Sequence, residues 1–279
     1  MRRERFVRFE SAAWGPAEIS AQDLDLLAEF AGLSPGECLV RLNAYRQQEM
    51  ADAWRARKPA TPAAIRDFYG ETDHYVWELL GWNGSASYRP YLQRLDRLAT
   101  FWPPTEWSSA LDYGCGVGTA AIRLAELGYA VSIADVPGRT LAFARRRLAA
   151  RGIRFQELLV EADPPRLPRG RWDVAACFDV LEHVVDPAET ARRLVGAVRM
   201  GGGLAIVAGF NVAGEDFPHH LASGRGRFGG IRWDAFLGGL GLQNLGDQVY
   251  RKVGGLGRVA RRLNYGLARS VGFRLQRVR

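Results

Sequence analysis

The segment from Ala110 to Thr119 constrains the fold of this chain more than any other feature. It reads Ala-Leu-Asp-Tyr-Gly-Cys-Gly-Val-Gly-Thr: a short apolar run, then three alternating glycines, then residues that can begin a helix. Glycines let the backbone turn sharply and approach a ligand, and free amides at a helix N-terminus face that ligand. The segment therefore predicts a strand, a ligand-binding glycine loop and a helix in succession.

The glycine spacing distinguishes this loop from a dinucleotide-binding loop. The dinucleotide pattern is G-x-G-x-x-G, whereas here the third glycine, Gly118, comes one position early and Thr119 stands where the pattern needs glycine. Asp112, two residues before the first glycine, adds a carboxylate that suits an ammonium group better than a pyrophosphate. We therefore expect an amino-acid-like ligand rather than NAD.

From Ser109 onward, short apolar runs alternate with amphipathic segments. This alternation is typical of an α/β fold in which helices wrap a parallel sheet. Strands are predicted near 109–113, 130–135, 154–160, 172–178, 203–209 and within 242–252, and helices near 117–127, 138–151, 187–199 and 236–240. We expect the glycine run at 201–203 to end the third of these helices.

Residues 1–105 lack this alternation and are predicted to form a helical cap on the substrate side. Ser34-Pro35-Gly36-Glu37 is a capping box with proline in the first turn, and Thr61-Pro62 repeats the start signal. We therefore divide the chain into a cap at 1–105, a ligand-binding domain at 106–252 and a basic tail at 253–279.

The ordered motifs resemble the class I S-adenosylmethionine-dependent methyltransferases, whose first motif is an apolar strand that ends in an acid, followed by G-x-G-x-G. Asp135 lies 21 residues after Gly114, where that family places an acid on the ribose hydroxyls. Asp163 follows the third strand, where the family commonly binds the adenine amino group, although a turn acid before Pro164 is the alternative. The resemblance implies a Rossmann-like methyltransferase sheet wrapped by helices.

The cofactor that the resemblance implies is S-adenosylmethionine. Tyr69 and Tyr75 are similar to aromatic residues that close over it in related enzymes, or else they only join the cap to the sheet. Cys115 is interpreted as a small loop residue, because no base adjoins it in sequence. The expected cofactor-binding residues are Tyr69, Tyr75, Asp112, Gly114, Cys115, Gly116, Gly118, Asp135, Val136, Asp163 and Asp179.

Candidate catalytic residues are histidines after the fourth and fifth strands. His183 is predicted near the carboxyl edge of the sheet, where it could accept a hydroxyl proton, or it serves only packing or the start of a helix. His219, His220 and Arg225 fall in a long polar connection at 211–232, where acceptor contacts are expected, the alternative being a surface loop.

A metal site is an alternative use of the same region. Asp179-x-x-Glu182-His183 resembles the ExxEH element of the ubiquinone-pathway O-methyltransferases and of the small-RNA 3′-terminal 2′-O-methyltransferases, where a metal orients hydroxyls. Here Asp179 replaces the first glutamate with a shorter side chain. We expect no metal and keep Asp179, Glu182 and His183, joined by His219 or His220, as the alternative ligand set.

The charge of the chain is concentrated in its tail. Residues 251–279 hold nine Arg or Lys and no acid, so the net charge of +8 leaves about −1 for residues 1–250. Valines and leucines recur every four residues from Val259 to Val271, which favours a basic amphipathic helix. Such a helix is simply solvated, or it contacts an anionic membrane surface or a nucleic acid.

Three functions fit this sequence. We expect a methyltransferase for a small-molecule acceptor, with a hydroxyl favoured, because a neutral body under a cap suits an enclosed pocket. An RNA or tRNA methyltransferase that uses the tail, and a non-catalytic S-adenosylmethionine-binding protein, are the alternatives. The N-terminus lacks a secretory signal and the three cysteines form no CxxC pair, so we expect a cytoplasmic protein with reduced cysteines.

Overall fold

The computed structural model describes residues 5–106, 108–211, 217–221, 223–224, 228 and 231–253. Its N-terminal part is a β-hairpin followed by six α-helices. These elements are β1 (Phe6–Ser11), β2 (Gly15–Ser20), α1 (Ala21–Ala31), α2 (Pro35–Ala44), α3 (Gln47–Arg57), α4 (Pro62–Glu71), α5 (His74–Asn83) and α6 (Arg89–Phe101).

The β-hairpin corrects the expectation that this part is helical throughout. Along β1, buried Phe9 and Ser11 alternate with exposed neighbours, which is the two-residue period of a strand. Gly15 begins β2 with a φ of 71°, which the turn requires. The helix starts agree with the sequence: Ser34 and Glu37 form the capping box of α2, and the Thr61 side chain accepts from the amide of Ala64 at the start of α4.

The remaining elements build a seven-stranded sheet with helices packed against it. They are β3 (Ser109–Tyr113), α7 (Thr119–Glu126), β4 (Ala130–Asp135), α8 (Arg139–Ala150), β5 (Phe155–Leu159), β6 (Trp172–Phe178), α9 (Pro187–Ala197), β7 (Val198–Val207), α10 (Ile231–Gly239), β8 (Leu242–Asn244) and β9 (Val249–Lys252). The strand order is β5-β4-β3-β6-β7-β9-β8. Strands β3 to β7 are parallel, and β9 pairs antiparallel with both β7 and β8. The predicted α/β fold is therefore confirmed.

The strand order creates a crevice beside β3. The chain passes from β3 to β4 and β5 on one side and then returns to β6 on the other side. In open parallel sheets, ligands bind outside the carboxyl ends of the strands at such a reversal. The fold thus directs attention to the segments that follow Tyr113 and Phe178.

The glycine run at 201–203 does not end a helix. Helix α9 ends at Ala197, and the glycines lie inside β7. A Cβ on Gly203 would lie 2.5 Å from the ring of Trp102, and one on Gly202 would lie 2.4 Å from the carbonyl oxygen of Asp173. These glycines therefore allow an indole and a neighbouring backbone to pack directly on the strand.

Some residues that carry predictions from the sequence are not among those that the structure describes. Arg225 and residues 254–279, which hold most of the basic tail, lie outside the described residues. Within the described part, no helix has both the length and the apolar character needed to cross a membrane.

Candidate active site

A cavity of about 460 Å³ lies at the carboxyl ends of β3, β4 and β6, between the sheet and the N-terminal helices. Its volume is within the range of small-molecule pockets, roughly 300–1,000 Å³. We call one part the glycine-loop end, lined by Gly114, Gly116, Asp135 and Val136, and another the histidine end, lined by Glu182, His183, His219 and His220. The sequence predicted residues at both ends.

The glycine loop has the backbone conformation that its sequence requires. Gly114, Gly116 and Gly118 have φ values of 69°, 53° and 79°. The amide of Gly114 donates to the carbonyl oxygen of Ala134 at 2.7 Å, which ties the loop to β4. A Cβ on Gly114 would lie 2.2 Å from a methyl group of Val180. Both the conformation and the available space therefore require glycine at 114.

Asp135 connects the end of β4 to this loop. Its Oδ2 accepts from the amide of Gly116 at 2.7 Å, and its Oδ1 accepts from the amide of Val136 at 2.7 Å. Burial raises the pKa of Asp135 to about 6, although the two amides act to lower it. A carboxyl group is thus fixed at the cavity wall beside the glycine loop, where it can accept hydrogen bonds from a ligand's hydroxyl groups.

Three of the expected cofactor residues, Asp112, Cys115 and Gly118, do not line the cavity. Side chains alternate along a strand, so Tyr113 lines the cavity and buried Asp112 does not. Burial raises the pKa of Asp112 to about 7, while the amide of Ala121 in the first turn of α7 acts to lower it. Asp112 Oδ2 has no hydrogen-bond partner among the described residues, and the assignment of Asp112 to the cofactor stays a prediction.

Cys115 is buried behind the loop. Burial raises the pKa of its thiol well above the usual value, and the charge of Asp135 raises it further. A thiol with a raised pKa is a poor nucleophile. This environment agrees with the interpretation of Cys115 as a small structural residue.

Asp163 and Asp179 line the cavity, and each also has a structural partner. Asp163 Oδ2 accepts from the amide of Val185 at 2.6 Å, which joins the segment after β5 to the segment before α9. Asp179 Oδ2 accepts from the Tyr91 hydroxyl at 2.7 Å. Burial raises the pKa of Asp179, and the Tyr91 hydrogen bond acts to lower it. Tyr91, on α6, was not predicted as a site residue.

The histidine end joins three segments that are far apart in sequence. The rings of His183 and His219 are stacked with centroids 5.3 Å apart, and those of His183 and His220 meet edge to face at 4.8 Å. The three side chains offer ring nitrogens that lie within 4.8 Å of one another. The Tyr69 hydroxyl on α4 lies 3.1 Å from His183 Nδ1, which brings the cap into the same cluster.

The surroundings of His183 favour a neutral ring. Burial and the nearby His219 and His220 lower the pKa of His183 well below its usual value. Its Nδ1 also lies 3.3 Å from the carbonyl oxygen of His219, which can only accept a hydrogen bond. The Tyr69 hydroxyl, 3.1 Å from the same Nδ1, can either accept from it or donate to it. In the tautomer that carries the proton on Nδ1, the lone pair lies on Nε2, and His183 can accept a proton there.

Glu182 is buried next to these histidines. Its Oε1 accepts from the amide of Gly209 at 2.7 Å, and its backbone carbonyl accepts from the amide of Leu221 at 2.8 Å. Its Oε2 has no hydrogen-bond partner among the described residues. Burial and the charge of Asp179 raise the pKa of Glu182 to about 8. Glu182 thus anchors the loop after β7 and keeps one oxygen available.

Two cap helices supply the opposite wall of the cavity. The residues that line it are Pro62, Ile65, Arg66 and Tyr69 on α4, and Tyr75, Glu78, Leu79 and Trp82 on α5. Both sets follow the spacing i, i+3, i+4, i+7, which places them on one helix face. Only Tyr69 and Tyr75 were predicted. Helical periodicity was the available signal for the other six. It indicates that they share a helix face, but it does not show that this face lines a cavity.

The cap is joined to the glycine loop by buried charges. Asp23 on α1 accepts from Arg147 on α8 at 3.0 and 2.8 Å, and from Arg151 at 2.8 and 2.9 Å. Arg147 Nη1 also donates to the carbonyl oxygen of Val117 at 2.6 Å and to the hydroxyl of Thr119 at 2.9 Å. One guanidinium therefore holds both a cap carboxylate and the backbone of the glycine loop.

A second junction joins α4 to the loop that follows Asp135. A Cβ on Gly70 of α4 would lie 2.6 Å from the carbonyl oxygen of Pro137, and one on Gly138 would lie 2.2 Å from the carbonyl oxygen of Gly70. The end of α4 therefore rests directly on the backbone of the loop that follows Asp135.

Residues 111–204 match the protein family described as "Methyltransferase domain". The ubiquinone biosynthesis O-methyltransferase of Albidiferax ferrireducens is 34% identical over 150 residues, which are 51% of this chain and 56% of that protein. The same enzyme of Thiobacillus denitrificans is 32% identical over 126 residues, covering 43% of this chain and 54% of its own length. The chain thus spans just over half the length of these curated relatives.

A solved structure supports the fold. Haemonchus contortus phosphoethanolamine N-methyltransferase 2, in complex with phosphomonomethylethanolamine and S-adenosylhomocysteine, has a TM-score of 0.51 and 20% sequence identity. The match covers 67% of this chain and 46% of that one. The family match covers the segment that carries the glycine loop, Asp135 and His183. The part of the chain between residues 111 and 204 is therefore similar to a methyltransferase domain.

Proposed function

We propose that the protein transfers a methyl group from S-adenosylmethionine to a hydroxyl group of a small molecule. The observation that carries this proposal is the cavity itself, which runs from the glycine-loop end to a cluster of buried histidines. The names of the relatives, which are O-methyltransferases, support a hydroxyl as the acceptor group.

The residues at the glycine-loop end fit S-adenosylmethionine. Gly114 and Gly116 line the cavity with backbone alone, and the Asp135 carboxyl suits ribose hydroxyls. When bound, S-adenosylmethionine supplies a methyl group on a sulfonium: an acceptor oxygen forms the new C–O bond while the C–S bond breaks. The aromatic faces of Tyr69 and Tyr75 at the cavity wall suit a cation of this kind.

At the histidine end, His183 removes the proton that the acceptor hydroxyl loses. Its Nδ1 is directed to the His219 carbonyl, so its Nε2 takes the proton. Tyr69 and the stacked ring of His219 hold the imidazole in this orientation. Positioned general bases of this type contribute about 10²- to 10⁴-fold to a rate.

A divalent metal is a second candidate for the same step. The ring nitrogens of His183, His219 and His220 converge within 4.8 Å, and Glu182 Oε2 has no partner among the described residues. Asp179 fits the ligand set less well, because its Oδ2 is held by Tyr91. Imidazole-rich sets suit zinc, copper, iron or nickel rather than magnesium. When bound, a metal would lower the pKa of the acceptor hydroxyl, and a His183 that binds it through Nε2 could not serve as the base.

The test measures S-adenosylhomocysteine formation by mass spectrometry, with catechol and 3,4-dihydroxybenzoate as acceptor probes. We expect product with at least one of them and a loss of at least about 100-fold in kcat for His183→Gln, with unchanged affinity for S-adenosylhomocysteine. His74→Gln is the matched control, because His74 starts α5 and does not line the cavity. Full activity of His183→Gln would exclude His183 as the general base.

Chelation separates the two candidates for the proton-removal step. Activity that survives EDTA, in protein shown by elemental analysis to be metal-free, supports His183 as the base. Activity lost with the metal and restored by zinc or iron supports the metal. Methylation of RNA through the basic tail, a non-catalytic binding role and a cytoplasmic location stay predictions.

A further inference from the structure

The ionisable side chains of the cavity wall are mostly acidic, and one described residue is a strong base. Among the described residues that line the cavity, five carry carboxyl groups: Glu78, Asp135, Asp163, Asp179 and Glu182. Arg66 is the one lining residue in the described part of the chain that carries a guanidinium or ammonium group. A single fixed positive charge in such a wall restricts where an anionic group of a ligand can lie.

Arg66 lines the same cavity as the residues of the histidine end. It lies on α4 three residues before Tyr69, and both residues line the cavity. Three residues of helix correspond to about 4.5 Å along its axis. The Tyr69 hydroxyl lies 3.1 Å from His183 Nδ1, so Arg66 lies about one helical turn from the residue that contacts the proposed base.

The guanidinium of Arg66 has no hydrogen bond or ion pair with a described residue, although the side chain is half-buried. Its neighbour on α3, Arg57, instead pairs with Glu71, and Arg147 pairs with Asp23. A planar guanidinium satisfies its donors best with a carboxylate, which accepts two parallel hydrogen bonds. Gln47 also lines the cavity and offers a further amide donor.

We propose that Arg66 forms a carboxylate subsite and that the carboxylate it binds belongs to the acceptor. The inference rests on the proposed function, since it assigns the acceptor to the histidine end. S-adenosylmethionine also carries a carboxylate, on its amino-acid part. That part belongs at the glycine loop, which α5 covers through Leu79: a Cβ on Gly116 would lie 2.7 Å from the Leu79 side chain. The acceptor class is therefore a hydroxylated acid.

Calorimetry on protein saturated with S-adenosylhomocysteine tests this subsite without turnover. The probes are 3,4-dihydroxybenzoate and catechol, which differ by one carboxylate. We expect the native protein to bind the acid at least about tenfold more tightly, Arg66→Gln to remove that preference and Arg66→Lys to keep part of it. Arg57→Gln is the matched control and should keep the full preference, because Arg57 does not line the cavity. Equal affinity of the native protein for the two probes would overturn the subsite.

A second pair of probes identifies the source of the carboxylate. S-adenosylhomocysteine has an amino-acid carboxylate and 5′-methylthioadenosine lacks it. Arg66→Gln should bind both as tightly as the native protein does. A selective loss of S-adenosylhomocysteine binding would assign Arg66 to the cofactor and overturn the acceptor assignment. A protein that binds the acid selectively but forms no product would contradict the proposed function and leave the subsite supported.

Discussion

The glycine-loop end and the histidine end of the cavity are built in different ways. The first consists largely of backbone: two glycines with positive φ and two amides that meet Asp135, all between residues 114 and 136. The second consists of side chains from α4, from the turn after β6 and from the loop after β7. A short segment can encode the first kind of site, whereas the second exists only after distant segments have packed together. Substitutions that affect one end alone test this contrast.

The largest effect is expected at Gly114. Gly114→Ala forces a non-glycine residue to a φ of 69° and places its Cβ against Val180. Affinity for S-adenosylhomocysteine, measured by calorimetry, should fall by more than about 100-fold. Gly152→Ala is the control, because Gly152 also has a positive φ of 66° but has no atom within 4 Å of a Cβ. Equal losses in the two variants would mean that strain alone, and not the site, is responsible.

The next effect is expected at Asp135. Asp135→Ala removes the carboxyl from the glycine-loop end, so affinity for S-adenosylhomocysteine should fall by about 10- to 100-fold, the value of hydrogen bonds to a charged group. Circular dichroism should show an intact fold. Binding of 3,4-dihydroxybenzoate to the histidine end should not change. An unchanged S-adenosylhomocysteine affinity would refute the ribose assignment.

Acid should weaken the junction between cap and sheet. Burial acts to raise the pKa of Asp23, but hydrogen bonds and charge from Arg147 and Arg151 outweigh it and lower the pKa from 3.8 to about 2. A lowered pKa stabilises the fold above pH 3.8, and this contribution is lost as the pH falls through about 2. The loss is about 2 kcal/mol. Urea unfolding at pH 5 and pH 2 should reveal it, and Asp23→Asn should remove that part of the pH dependence. The same slope in both proteins would assign the acid sensitivity to other groups.

The smallest effect is expected where α4 rests on the loop after Asp135. Gly70→Ala pushes a methyl group against the carbonyl of Pro137, which should cost about 1 kcal/mol in the free energy of unfolding. Gly36→Ala is the control in α2, where the nearest atom to a Cβ is 4.0 Å away. If Gly70→Ala and Gly36→Ala had the same free energy of unfolding in urea, the contact between α4 and the Pro137 carbonyl would accommodate the methyl group at no cost.

The sequence was sufficient for the parallel sheet and the glycine-loop end, because both depend on local patterns. The apolar runs became strands β3 to β7, and the early third glycine gave a loop with three positive φ angles. The predicted acids at 135, 163 and 179 do line the cavity, whereas Asp112 does not. Strand alternation beside Tyr113 held that information, but only the packed sheet shows which side faces the cavity.

Other features depended on tertiary contacts. The glycine run at 201–203 looked like a helix end because its packing partner, Trp102, is about a hundred residues away. The β1 strand was missed because a six-residue alternation beside a basic terminus is a weak signal. Arg66, Tyr91 and Trp82 lay on recognisable helix faces, yet their place in the cavity wall follows from how the cap packs.

The double role of Arg147 has a consequence for the evolution of the cap. If the N-terminal helices were absent, the guanidinium that bonds both Asp23 and the Val117 carbonyl would lose its carboxylate partner. We therefore expect a chain shortened to begin at residue 106 to fail to fold, rather than to survive as a minimal cofactor-binding domain. The N-terminal helices are then inherited together with the sheet. An exchange of caps between relatives would have to bring a carboxylate partner for Arg147.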